Sequence, residues 1–178
     1  MQHPPTLFRY CPSCGAALPE VGRIPLQCSA CPFVYYFNPT VAAAAYLFNQ
    51  QGESLFIRRA KEPAKGKLAI PGGFIDFQET AEAALEREVL EEVGLKIEQI
   101  RYLGSCTNDY NYRGVVYPVV DLIFTANAIQ ADQAQPLDGV AGVEWKRVSD
   151  VDPEELAFPS LRMGLKLLQA RSSDADSR

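Results

Sequence analysis

The sequence predicts an α/β fold with a small cysteine-stapled module in front, and three observations carry that prediction. Four of the five cysteines fall in two C-x2-C pairs, Cys11/Cys14 and Cys28/Cys31. Behind them, short apolar runs bounded by turn residues alternate with two helix-period patterns, the arrangement of a sheet packed by helices. The first of those helices carries an acidic face that local stability does not explain. With 178 residues and 47% hydrophobic composition, the chain can bury one core plus a small accessory module. A formal net charge of −5 argues against non-specific nucleic-acid binding as its main task. No apolar run reaches the length of a membrane span, and MQHPPTLFRY lacks the apolar core of a signal peptide, so a cytoplasmic protein with no membrane partner is expected.

The module is taken as residues 1–38. Its cysteine pairs are separated by thirteen residues containing Gly15, Pro19, Gly22 and Pro25. Two such knuckles aim Cys11, Cys14, Cys28 and Cys31 at one tetrahedral Zn2+, for which thiolate ligation is well suited. Two disulfides or redox pairs are the alternative, disfavoured in a cytoplasmic chain. A four-cysteine site has no open position and is structural; it folds a stretch too short to form a core of its own. Arg9 and Arg23 are its only basic residues, a poor basis for nucleic-acid contact. Phe33, Tyr35, Tyr36 and Phe37 follow, read as packing residues in preference to a nucleobase-stacking face. Cys106 stands apart and reads as a small buried hydrophobe.

The main domain is taken as residues 39–170, with 171–178 a disordered tail. Thr40 to Asn49 reads as a buried strand, Gln50-Gln51-Gly52 as a turn and Glu53 to Arg59 as its hairpin partner. Arg58 and Arg59 point to opposite faces of that strand, so only one can reach a site. Ala60 to Lys67 is a polar loop with three lysines. Beyond the first helix, Ile97 to Cys106 and Val115 to Ala126 read as strands joined by a polar loop, Thr107 to Gly114, whose Tyr110 suits substrate contact. Val143 to Val148 is a short strand, and Leu161, Leu165 and Leu168 space a closing helix.

The central helix follows Pro71-Gly72-Gly73. Thr80 is placed to cap it, Ala81, Ala83 and Ala84 favour it, and Gly94 ends it. Leu85, Val89 and Val93 form its buried stripe. Glu88, Glu91 and Glu92 share another face: at 100° per residue, Glu92 lies about 40° to one side of Glu88 and Glu91 about 60° to the other. Stacked carboxylates repel one another by a few tenths of a kcal/mol per pair unless a cation joins them. Mg2+, which takes oxygen ligands and is usually held by one or two carboxylates with substrate phosphates, is the matching ion.

The spacing around these residues is specific. Gly73, five residues, Glu79, seven residues, Arg87-Glu88, Val89, one residue, Glu91-Glu92, one residue, Gly94, Leu95 supplies every fixed position of the Nudix box over 23 residues. The chain therefore resembles the Nudix hydrolases. The resemblance implies an α/β/α sandwich around a mixed sheet and hydrolysis of a nucleoside diphosphate linked to another group, with release of a nucleoside monophosphate. It assigns Glu88, Glu91 and Glu92 as Mg2+ or Mn2+ ligands, with the Gly72 or Gly73 carbonyl as a further ligand and Arg87 with Glu79 as the supporting pair. Many family members carry a loop glutamate six residues before the tryptophan of the penultimate strand; counting back from Trp145, that position is Gly139, with Asp138 and Glu144 nearby. Glu91 or Glu92 is then the group expected to activate the attacking water.

A four-cysteine ribbon before a Nudix domain resembles two subgroups, the NADH pyrophosphatases and a shorter group acting on FAD or ADP-ribose. KIEQIRYLGSCTNDY, after the box, lacks the glutamine-proline-tryptophan array of the NADH group, while Leu156-Ala-Phe-Pro-Ser160 resembles the shorter group. ADP-ribose and FAD are therefore expected ahead of NADH, with Arg58, Arg59 and Tyr110 as substrate contacts. The rival expectation is a catalytically weak Nudix-fold sensor whose ribbon contacts a protein or RNA. The ribbon also offers a surface through which two copies could form a homodimer.

Overall fold

The computed structural model describes Gln2 through Ala175, with side chains up to Arg171. The chain divides into two compact units, Met1–Thr40 with Asp109–Val119, and Val41–Asn108 with Val120–Arg178.

In the first unit, the Cys11–Cys14 knuckle is closed by backbone bonds from Cys11 N to Ala16 O (2.8 Å) and Gly15 N to Cys11 O (2.9 Å). Gly15 reverses the chain at φ 74°, where a side chain would be strained. Strands β1 (Leu26–Gln27) and β2 (Val34–Tyr35) pair antiparallel, Leu26 opposite Tyr35, and bracket the second knuckle. Aromatic rings pack within it: Tyr35 stands edge-on to Phe37 with centroids 5.0 Å apart, and Phe8 edge-on to Phe37 at 5.3 Å. These ring contacts lie within the unit; the aromatic run was expected to pack the ribbon on its neighbour. Gln2 bridges in parallel to Val115, and Val116 N donates to Gln2 O at 2.8 Å, tying in a piece of chain from far downstream.

That piece also corrects the loop expected at Thr107 to Gly114. Strands β7 (Lys96–Tyr112) and β8 (Val115–Ile129) are long, and only Arg113-Gly114 turns between them. Both turn residues have positive φ, 50° and 83°, the geometry whose twist matches a two-residue hairpin. Polar residues here reflect a strand whose faces are largely exposed, and they mimic a loop in composition.

The second unit is built on a mixed sheet of seven strands. Its spine runs β5-β4-β3-β8-β7, where β3 is Thr40–Phe48, β4 Ser54–Arg59 and β5 Leu68–Ala69. Strand β6 (Gly72–Phe74) pairs with β3, and β9 (Val140–Lys146) with β4. Helix α1 (Ala81–Val93) contacts β6 and β9. Helix α2 (Pro159–Ala175) lies on the face that carries Tyr46, whose hydroxyl donates to Leu161 O at 3.0 Å. Gly164 permits the close approach, since a Cβ there would stand 3.3 Å from Ile123. Helix α2 continues past Arg171, where the tail was expected to begin; the remaining residues 176–178 of that expectation lie outside the described residues. The core joins Leu47, Leu55, Phe56, Leu85, Val89 and Leu165, all without solvent exposure, and Cys106 is buried in it as expected. Among the described residues, no helix is long and apolar enough to cross a membrane.

Candidate active site and cysteine cluster

Helix α1 begins and ends where its sequence says. The Thr80 side chain accepts a hydrogen bond from Ala83 N (3.2 Å), and Gly94 adopts φ 72° with its N–H on Leu90 O. Ala84, Leu85, Val89 and Val93 are buried, which turns Arg87, Glu88, Glu91 and Glu92 away from the core. The last carbonyls of α1 are met by a distant loop: Gln135 N, Leu137 N and Asp138 N donate to Val93, Glu92 and Glu91 O.

Arg87 organises the acidic face. Its Nε and Nη2 grip both oxygens of Glu79 at 2.9 Å, a bidentate pair, and Nη2 also donates to Phe74 O at 3.1 Å. Its Nη1 donates to Glu88 (2.8 Å) and to Glu91 (3.3 Å). Glu79 accepts a further bond from Asp76 N at 3.0 Å. The Arg87 contact and then the Asp76 N–H hold the Glu79 carboxyl down at about 2.

Glu92 is held differently. It accepts a hydrogen bond from Gly72 N at 3.0 Å. Burial pushes its carboxyl up to about 8 against the pull of that N–H; the Glu88 and Asp138 charges add to the rise and Arg59 opposes it. A half-buried carboxylate beside another carboxylate is a site that a cation would stabilise. The oxygen-only donor set of Glu88, Glu91 and Glu92 fits a hard divalent ion. The three are not gathered into a finished cage, however: Glu88 and Glu91 lean on Arg87, and Glu92 leans on Gly72.

The two glycines before the helix do separate jobs. Strand β6 sets Gly73 opposite Ala43 and Gly72 opposite Ala44. A Cβ on Gly73 would come within 2.4 Å of the Glu88 carboxylate, so this position is small to admit that group. A Cβ on Gly72, at φ 147°, would come within 2.2 Å of Ala43 O, so that position is small for the sheet.

The expected substrate contacts Arg58 and Arg59 have different partners. Arg59 is the cation whose charge acts on Glu92; its Nε donates to Pro63 O (2.8 Å) and its guanidinium lies 5.0 Å over the Phe158 ring. Arg58 is paired with Glu144, which also takes Lys146 at 3.0 Å, and it donates to Gly66 O. Tyr110 belongs to the first unit, its ring 6.3 Å from that of Tyr112, whereas α1 belongs to the second. Of the loop lysines, Lys61 pairs with Asp138 (3.0 Å) and Lys67 donates to Glu154 O. Asp138 and Glu144, which flank in sequence the position where many family members carry a loop glutamate, are thus both in ion pairs, whose partners come from strand register and loop closure.

In the first unit, the sulfurs of Cys11, Cys14, Cys28 and Cys31 all lie within 4.8 Å of one another. Across the two knuckles, Cys11 and Cys31 sulfurs stand 3.8 Å apart and those of Cys14 and Cys28 3.7 Å. Disulfide sulfurs stand about 2.05 Å apart, so these are free thiols. A tetrahedral ion with bonds of about 2.3 Å spaces its ligand sulfurs at about 3.8 Å. The cluster therefore has the dimensions of a closed metal site.

A family model for the NUDIX domain matches residues 38–166. A Chromobacterium violaceum protein named NAD-capped RNA hydrolase NudC is 33% identical over 101 residues, which are 54% of this chain and 36% of that protein. Its namesake from Pseudomonas putida is 26% identical over 146 residues, 82% of this chain and 50% of that protein. The chain thus spans half or less of the length of these curated relatives. Among solved structures, a NUDIX hydrolase from Nitrosomonas europaea shares the fold, with a TM-score of 0.72 at 24% identity over 89% of both chains. The NUDIX domain of Shewanella oneidensis NrtR, solved in complex with ADP ribose, has a TM-score of 0.61 at 27% identity, covering 75% of this chain and 88% of that one. With the box on a capped helix, its arginine network formed and a family match over most of its length, the chain belongs to the Nudix family.

Proposed function

We propose that this chain is a divalent-metal-dependent pyrophosphohydrolase acting on a nucleoside diphosphate joined to a second moiety, with ADP-ribose and FAD ahead of NADH. The observation that carries the reading is the division of labour on α1: Arg87 and Glu79 lock together while Glu88, Glu91 and Glu92 keep carboxylate oxygens on one face. The NudC relatives and the ADP-ribose complex of a Nudix domain support dinucleotide-type substrates.

Glu88, Glu91 and Glu92, with a carbonyl of Gly72 or Gly73, would hold Mg2+ or Mn2+. Bound there, the ion would neutralise pyrophosphate oxygens and lower the pKa of the attacking water. Arg87 fixes Glu79 and so defines where Glu88 and Glu91 lie. Arg59 has spent Nε on Pro63 O, and its two terminal nitrogens can meet a phosphate. Glu91 or Glu92 would accept the proton of the attacking water. Water then adds to one phosphorus, the bridging P–O bond breaks, and a nucleoside monophosphate leaves with the phosphorylated remainder. The four cysteines would hold Zn2+ as a folding element of the first unit, with no open ligand position.

The test is product analysis with ADP-ribose, FAD, NADH, NAD-capped RNA and nucleoside triphosphates, each with Mg2+ or Mn2+. Metal-dependent release of AMP, fastest from ADP-ribose or FAD, is expected. Binding of one of these ligands without any product, in folded and metal-loaded protein, would replace this reading with the sensor.

A further inference from the structure

Between α2 and strands β7 and β8, at the end of β3, a cleft of about 430 Å3 lies within the second unit and shares no residue with the carboxylate cluster. Its origin is a change of character along one sheet face. Ile123, beneath Gly164, is fully buried, but Thr125 and Asn127, the next residues on that face of β8, are polar. On β7, Leu103 is buried, and Arg101 and Gln99 follow at the same alternation. Leu168 is the last buried leucine of α2, and Arg171 follows one turn later.

Two guanidiniums, Arg101 and Arg171, therefore face one cleft whose described lining contains no carboxylate. Arg171 is fixed by donation to Tyr102 O (3.3 Å) and Leu103 O (2.8 Å). The exposed Arg101 side chain makes no ion pair among the described residues. An anion in the cleft could draw on both guanidiniums. Phe48, Leu103 and Leu168 supply an apolar floor suited to a flat ring, and Gln99 and Asn127 supply amides that can donate to and accept from a heterocycle edge. The volume lies in the range of small-molecule sites.

We propose that this cleft is a second ligand site that takes a nucleoside monophosphate, with the phosphate on Arg101 and Arg171 and the base on Phe48, Leu103 and Leu168. The assignment rests on the cleft alone and stands whether or not the α1 glutamates hydrolyse a dinucleotide.

The experiment is an amide NMR titration of the full chain with AMP, adenosine and inorganic phosphate, without added Mg2+. AMP is expected to shift Arg101, Leu103 and Asn127 with saturation, to leave Gly72 and Gly73 in place, and to bind more tightly than either fragment. Arg101→Gln, at an exposed position, should weaken AMP at least about tenfold, as loss of one charge-assisted contact does. Asn127→Asp, which puts a carboxylate among the cations, should weaken it as well. Shifts confined to Gly72 through Glu92, a non-saturating response, or unchanged affinity in Arg101→Gln would overturn the site. Phosphate binding as tightly as AMP would overturn the nucleotide assignment.

Discussion

The two candidate metal sites are opposites in how they are built. The cysteine cluster is drawn together by short-range turns, its four sulfurs already at the spacing one ion requires. The glutamate trio is presented by a single helix and restrained by neighbours, Glu88 and Glu91 by Arg87 and Glu92 by the Gly72 N–H. A closed thiolate site spends its ligands on folding, whereas a row of carboxylates held apart leaves positions for water and phosphate. The first unit contributes no described residue to the main apolar core, while α1 supplies Leu85, Val89 and Val93 to it.

The largest effect should separate the two. Cys14→Ser, or stripping zinc from the wild type, should remove binding free energy on the order of 10 kcal/mol from the first unit. Amide exchange should then rise throughout residues 11–35 while α1 stays protected. Equal loss of protection in both units would break the comparison.

Next come the neighbouring glycines. Gly73→Ala should displace Glu88 and cut turnover by about a hundredfold or more with the melting temperature nearly kept. Gly72→Ala should cost a few kcal/mol of stability, through the clash with Ala43 O at a positive φ. Thermal melts beside turnover assays would show whether the two roles divide in this way.

A subtler difference lies in pH. Glu92 has a folded-state pKa raised to about 8, so its contribution to stability is present below its unfolded value of about 4.3 and is lost as pH rises through about 8. Metal-free protein should therefore lose stability across that window, and stabilisation by Mg2+ should grow over it. Glu79 has the opposite sign: its pKa is lowered to about 2, so its contribution is present above about 4.3 and disappears as pH falls toward 2. Melting curves at several pH values, with and without Mg2+, would show whether the Mg2+ effect is flat, which this account does not allow. The smallest effect is Thr80→Ala, expected to cost about 1 kcal/mol through loss of the bond to Ala83 N.

What could be read in the sequence follows the same division. Thr80, Gly94, the buried stripe and the acidic face of α1 were legible because each depends on residues within a few positions. The knuckles were legible for the same reason. The reach of Asp109–Val119 into the first unit was not, because polar strand residues ending in Arg113-Gly114 look like a loop until their partner strand is known. Nor were the pairing of Arg58 with Glu144 or the seating of residues 135–138 on the end of α1, since each depends on register set far away. Alternation alone could not foresee the register shift between Arg58 and Arg59, which depends on the pairing of β4 with β9.

The measurement that tests the central claim most directly is release of AMP from ADP-ribose or FAD by wild type and by the Glu91→Gln, Glu92→Gln double variant, with and without Mg2+ or Mn2+. The account predicts metal-dependent release by the wild type that falls at least about a hundredfold in a folded variant with its four-cysteine site intact. Turnover that survives in the variant, or that proceeds equally without metal, would contradict it.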